Sequence, residues 1–284
     1  MGVKVGILLV TLLSGSFAVP NPTPQSEDSD LFYHVNEHAR IVGGVPAEVG
    51  SVPYMVAMSS GLLIRSFLCG GSVISARSVL TAAHCIQAAF SGGSLVSSLR
   101  VTVGTNRWNT GGSTYALQRN VTHQNYVHQT IKNDIGLLIT SADIQFNAVV
   151  APVQLSFSFV PAGVIGRAAG WGRTRVSGGS LSAVLLELQT LTIDGQRCVE
   201  EVPRVAAAIN MRPDPPPVEP HIELCTFHSA GHGMCNGDSG SALVRVDNGQ
   251  QIGIVSWGLP CARGAPDMFV RVSAYESWLR QHVV

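Results

Sequence analysis

Downstream of residue 40 the chain reads as an all-β domain of short antiparallel strands, a barrel or a sandwich, closed by one carboxy-terminal helix. Two observations carry that reading. Segments such as SVISARSVLTAAH (72–84), LRVTVG (99–104), NDIGLLIT (133–140), SALVRV (241–246) and QIGIVSW (251–257) are short apolar runs, several alternating with period two, set apart by Gly, Ser, Asn and Pro. Long helical periodicity is expected only at the end, where Ser273 to Glu276 reads as a capping box and Tyr275, Trp278, Leu279 and Val283 share one face. MRPDPPPVEP (211–220) is too dense in proline for any strand.

The elements before that domain follow in order. Residues 1–18 combine Lys4, an apolar run from Val5 to Leu13 and small residues at Ser16 and Ala18, the pattern of a secretory signal peptide too short to span a bilayer. Residues 19–40 are rich in Pro, acids and polar groups and poor in aliphatics, as a propeptide or tail is. The domain proper is expected over 41–284, in a secreted, extracellular protein with no membrane partner. With 18 basic and 18 acidic residues the formal charge is zero, which gives no electrostatic footprint for nucleic acid. All six cysteines, Cys69, Cys85, Cys198, Cys225, Cys235 and Cys261, follow residue 68, and an even number in an exported chain favours three disulfides. Spacing alone leaves their pairing open, and no C-x-x-C pair suggests a metal.

GMCNGDSGSAL (233–243) sets Ser239 between glycines. Such a frame lets backbone N–H groups turn toward an approaching carbonyl, although the same string suits a hairpin turn. A serine hydroxyl attacks only when a histidine takes its proton and an acid orients that histidine. TAAHC (81–85) places His84 at the end of one apolar strand, and NDIGLLIT places Asp134 at the mouth of another. Singly, His84 also suits a core histidine and Asp134 a strand-initiating turn.

Taken together, IVGG (41–44), TAAHC, NDIGLL, GWG (170–172), GDSG (237–240) and SWG (256–258), in that order, resemble the chymotrypsin-like serine endopeptidases over residues 41–284. The resemblance implies two six-stranded antiparallel β-barrels with the active site between them and a C-terminal helix. It implies Ser239 as nucleophile, His84 as proton carrier, Asp134 as its orienting acid, and the N–H groups of Gly237 and Ser239 as the oxyanion hole. Ser256 corresponds to a serine that hydrogen-bonds the buried aspartate, and the Ser256-Trp257-Gly258 backbone to a strand that pairs with substrate. The disulfides follow as Cys69–Cys85, Cys198–Cys225 and Cys235–Cys261. Asp238 corresponds to the buried acid that pairs with a new amine on Ile41 once a trypsin-like protease cuts after Arg40. With no cysteine in 19–40, the propeptide has no covalent tether.

Several positions depart from the family pattern. Ser241-Ala242 stand where Gly-Pro is usual, and 26 residues separate Cys198 from Cys225, which implies a longer loop beside the outer subsites. Between Glu48 and Asp134 there is no acid, so no calcium loop is expected. His228 and His232 lie in a Gly-rich loop that argues against a metal pair, and neither metal nor cofactor is expected. Asn120-Val121-Thr122 is a glycosylation sequon. The primary pocket maps to Gly233, Gly258 and Asp267: glycine at its base, an open entrance and an acid on its wall, as in brachyurin-type collagenolytic members. Met234 is expected to make that pocket shallower and more apolar. The expected preference is for large apolar residues, with minor acceptance of Arg or Lys. If Asp267 turns to solvent, the pocket is chymotrypsin-like. Substrates would be proteins and peptides, protein protease inhibitors are candidate partners, and a monomer is expected. The alternatives are a silent homologue acting as a binding module, against which the intact triad counts, and a cascade activator, against which the short prosegment counts.

Overall fold

The computed structural model describes residues 2, 41–174, 179–259 and 261–284. The expected propeptide, Arg40 with it, and all but Gly2 of the expected signal peptide lie outside the described residues.

The first six principal strands are β1 (Met55–Ser60), β2 (Ser66–Val73), β3 (Ser78–Thr81), β4 (Arg100–Val103), β5 (Ser113–Thr122) and β6 (Gly136–Thr140). They close into a barrel in the order β1-β2-β3-β6-β5-β4. Period-two alternation explains their packing. Along β4, Val101 and Val103 enter the core while Thr102, on the other face, bonds Thr114 on β5 at 2.9 Å. Val56, Met58, Val79, Leu80, Leu137 and Leu138 fill the same interior.

The second set is β7 (Ile165–Gly170), β8 (Leu186–Thr192), β9 (Glu223–Phe227), β10 (Ala242–Arg245), β11 (Gln251–Gly258) and β12 (Asp267–Arg271). These run in the order β8-β7-β10-β11-β12-β9, and pairing of β8 with β9 through Leu191–Phe227 and Thr192–Thr226 closes the ring. Traced around the ring, the order repeats that of the first barrel. Pro46, in the two-residue strand Val45–Pro46 on the edge of β8, donates no hydrogen bond and sits where none is needed. The three disulfides formed are those the family resemblance implies.

Among the described residues three α-helices punctuate the barrels: α1 (Ala83–Ala88), α2 (Gly195–Ala208) and α3 (Glu276–His282). The apolar face expected for α3 is buried, with Tyr275, Trp278 and Leu279 packed into the first barrel's core. The capping box is not formed. A 3-10 turn over Val272–Tyr275 precedes the helix, and no side chain caps it, because the backbone arrives already wound. Helix α2 corrects the expectation that the only long helix closes the chain. Asp194 caps it through the N–H groups of Gln196 and Arg197, and Cys198, Val202, Val205 and Ala206 form its buried face. Pro203 within it disguises that period as a break. Ten of the 26 residues between Cys198 and Cys225 are therefore helix, and 209–222 runs as loop. Among the described residues no helix is long and apolar enough to cross a membrane.

Candidate active site

His84 is the second residue of α1, held against β2 by the Cys69–Cys85 disulfide. Asp134 stands two residues before β6, after a turn in which Ile131 and Asn133 both hold positive φ, 51° and 55°. Only surrounding contacts keep non-glycine residues there. Asp134 is 1% exposed and accepts three donors: the His84 N–H at 2.8 Å, His84 Nδ1 at 2.7 Å and Ser256 Oγ at 2.6 Å. This arrangement keeps a proton on Nδ1, donated to the carboxylate, and leaves Nε2 as the ring's free base. Burial disfavours the charged imidazole, but the Asp134 charge and hydrogen bond outweigh it, so the His84 pKa is raised above the ordinary value of 6.5.

Ser239 reaches the same seam from the second barrel, 8% exposed. Its carbonyl accepts the Gly70 N–H at 2.8 Å. A Cβ at Gly240 would sit 2.3 Å from Thr81 Oγ1 and 2.5 Å from the Gly70 carbonyl, so only glycine lets the two barrels meet this closely. Gly237 takes φ +98°, and a Cβ there would press on Leu181 and Gly172. The glycines framing Ser239 thus serve close approach and left-handed backbone together. Among the described residues Ser239 Oγ makes no hydrogen bond to His84, whose Nε2 has Cys85 Sγ at 3.6 Å. Such contacts commonly tighten only with substrate.

Beneath Ser239, Asp238 is fully buried, with Oδ1 on the Gly172 N–H at 2.8 Å and Oδ2 on the Cys235 N–H at 3.0 Å. Burial pushes its pKa up to about 7 against the pull of those two amides. Ile41 is buried in the second barrel's core, and Val42 bridges to Gly233, whose N–H it accepts at 3.0 Å.

Gly233, Gly258 and Asp267 come together. Asp267 pairs with Gly258 in register, its Oδ2 accepts the Met234 N–H at 3.0 Å, and a Cβ at Gly233 would lie 2.8 Å from that oxygen. Burial raises the Asp267 pKa to about 7; the Met234 amide opposes this, and the Asp238 charge adds to it. Met234 corrects the expectation of a pocket-lining thioether. It is 3% exposed in the core with Ile41, Leu188 and Phe269, and only its backbone meets Asp267. Ser256 to Gly258 continue β11 beyond Val255, where pairing with β10 has ended at Ile254, which leaves one side of that backbone without a strand.

Among the described residues one group of ligand atoms, from Cys69, His84 and Cys85, lies within 4.8 Å, but its sulfurs are bonded to each other and offer no thiolate. His228 and His232 stack at 4.4 Å between ring centres, with Ser229 Oγ touching Nδ1 of each. Sequence reasoning missed Lys132 and Glu223, which are buried as an ion pair at 2.7 Å. They stand 91 positions apart, and no local pattern joins them.

Two barrels of one topology, with an imidazole and its buried carboxylate on one side of the seam and a glycine-framed serine on the other, define a serine hydrolase of the double-barrel class. Comparison with known proteins narrows it. The family model described as Trypsin matches residues 41–279, and the chain belongs to that family of serine endopeptidases. It is 35% identical over 243 residues to "Chymotrypsin-2" of Vespa crabro, covering 85% of this chain and 99% of that protein. It is 32% identical over 252 residues to "Trypsin, alkaline B" of Manduca sexta, covering 86% and 91%. With "Trypsin alpha-4" of Lucilia cuprina the identity is 31% over 241 residues, covering 84% and 86%.

Proposed function

We propose that Ser239, His84 and Asp134 are the catalytic triad of a secreted serine endopeptidase made as a zymogen and cut between Arg40 and Ile41. The observation that carries the triad is the Asp134 carboxylate: it holds His84 by its backbone N–H and by its ring Nδ1, and is itself oriented by Ser256. In this reading Ser239 Oγ attacks the scissile carbonyl while His84 Nε2 takes its proton. The N–H groups of Gly237 and Ser239 receive the developing oxyanion, and His84 then protonates the leaving amine. Substrate lies along the open side of Ser256 to Gly258. A fluorophosphonate tests the assignment: it should label Ser239 alone, and a labelled peptide from elsewhere in the chain would remove Ser239 from the role.

Control by cleavage is supported by the burial of Ile41 and by Asp238, a carboxylate that no cation among the described residues approaches within ion-pair range. An amine released on Ile41 is the partner it lacks. Active protein should begin IVGG, and an uncut Arg40→Gln protein should stay inactive; full activity there would end this part of the reading.

For specificity, Asp267 against Gly233 supports a pocket with an acid on its wall, taking large apolar residues first and Arg or Lys second. Phe, Leu, Ala and Arg anilides on wild type and Asp267→Gly decide it. Arg as the best substrate, or Arg cleavage unchanged in Asp267→Gly, contradicts the assignment.

A further inference from the structure

Two residues before Asp134, Lys132 is 5% exposed, and Glu223, on β9 of the other barrel, is 4% exposed. Lys132 Nζ donates to Glu223 Oε1 at 2.7 Å, and the indole Nε1–H of Trp257 donates to the same oxygen at 2.7 Å. The ammonium lies 4.9 Å from the centre of the Trp257 ring, within cation–π range. Glu223 Oε2 accepts the Glu219 N–H at 2.6 Å. The carboxylate is thus fully engaged, and each donor has one geometry in which it is satisfied.

Stability is a poor reason for this arrangement, because well-packed apolar residues hold a fold as well as a buried ion pair or better. What the pair does is fix direction. An apolar neighbour leaves the Trp257 N–H without an acceptor, whereas a charged acceptor binds it about twice as strongly as a neutral one. On the other side, Lys132 sits between the two left-handed residues Ile131 and Asn133 and exchanges backbone hydrogen bonds with Val127 at 3.0 and 3.2 Å. The contacts close a ring across the seam. Asp134 bonds Ser256, the chain continues to Trp257, Trp257 bonds Glu223, Glu223 bonds Lys132, and two peptide units return to Asp134.

We propose that the Lys132–Glu223 pair is a positioning device that locks the Trp257 indole, and with it the Ser256–Gly258 backbone, in the register needed by an extended substrate. The proposal rests on the reading above that this backbone takes substrate as an added strand. Its signature is selective. Substrates long enough to lie along 256–258 depend on the pair, and a substrate that fills only the primary pocket does not.

The variant Lys132→Met/Glu223→Leu removes both charges and the indole's acceptor without stranding a buried ion. It is compared with wild type on N-acetyl-Phe p-nitroanilide and on a tetrapeptide p-nitroanilide ending in the same Phe, after active-site titration with a fluorophosphonate. The short substrate should stay within about twofold, and kcat/KM for the tetrapeptide should fall about tenfold, mainly through KM. Should the double variant not accumulate, Glu223→Gln is read instead. Its neutral amide is a weaker acceptor for the indole N–H than the carboxylate is, and the same selective loss of about threefold or more follows. Parallel losses on both substrates, or an unchanged ratio in a titratable variant, overturn the positioning role. A wild-type enzyme that shows no preference for the tetrapeptide overturns the strand-addition reading beneath it.

Discussion

From Val49 to Asn133, a stretch that supplies five of the first barrel's six strands, the chain has no carboxylate, whereas the second barrel buries Glu223 and Asp238 and largely covers Asp267. The strand order is the same in both. Topology therefore does not determine which half holds its charges out of water. The first barrel is an apolar mount for His84, and at its rim Asp134 is satisfied by three donors. The second holds carboxylates whose proton affinity burial has raised, so its condition depends on pH. A contrast of this kind teaches where a switch can be built: beside an ion that is costly to bury, not within a well-packed apolar core.

The sharpest way to break the contrast is at the seam. Ser239→Ala or His84→Ala should cut turnover by about 10⁴-fold or more while leaving a folded protein, measured as residual kcat together with the thermal midpoint. Near-normal turnover in either would mean that the chemistry lies elsewhere. Next in size is Asp238→Asn, which tests the switch proposed for the second barrel without touching the first. Cutting after Arg40 should then leave activity about 10²–10³-fold below the cut wild type, as expected when oxyanion donors are not organised. Equal activation of both proteins would detach Asp238 from control.

Smaller effects sharpen the comparison. Ser256→Ala takes one donor from Asp134 and should lower kcat about tenfold, as loss of a hydrogen bond to a charged group does. The pH profile carries a further sign. Because Asp134 raises the His84 pKa, kcat/KM should rise with pH through a midpoint above 6.5, and a midpoint below that value would contradict the ion-pair geometry. The smallest effect is on stability. Asp238 and Asp267 keep their protons up to about pH 7 in the folded chain but release them near 3.8 when unfolded. The folded form therefore binds more protons between those values, and its stability falls as pH rises from about 4 to about 7. Uncut Asp238→Asn protein should escape part of that loss, so its thermal midpoint should gain on uncut wild type over the same interval. A gap that does not widen would mean that Asp238 is charged at low pH.

Much of this was legible along the chain, and the reasons are local. Period-two runs such as LRVTVG announce strands because successive side chains meet opposite environments, and the GDSG string stands out because Gly237 and Gly240 take positive φ at contacts that a Cβ would crowd. The α3 face was readable for the same reason, as Tyr275, Trp278 and Leu279 show. Helix α2 was hidden by Pro203, a residue that normally argues against a helix interior. The place of Met234 was illegible because a thioether suits core and pocket alike, and only the position of Ile41 decides between them. Lys132 and Glu223 were beyond sequence reading altogether, since their meaning exists only where the barrels touch.

The glycine contact at Gly70 and Gly240 bears on how the molecule responds to force. Where other domains meet through side chains that turn and yield, these two meet backbone on backbone, with no room for even one added carbon. Mechanically this is an end-stop: closing the barrels further works against van der Waals repulsion between close-packed backbones, with no side-chain rotamer to give way. Under hydrostatic pressure the two halves of the site should hold their separation while the barrel interiors lose what little void they have.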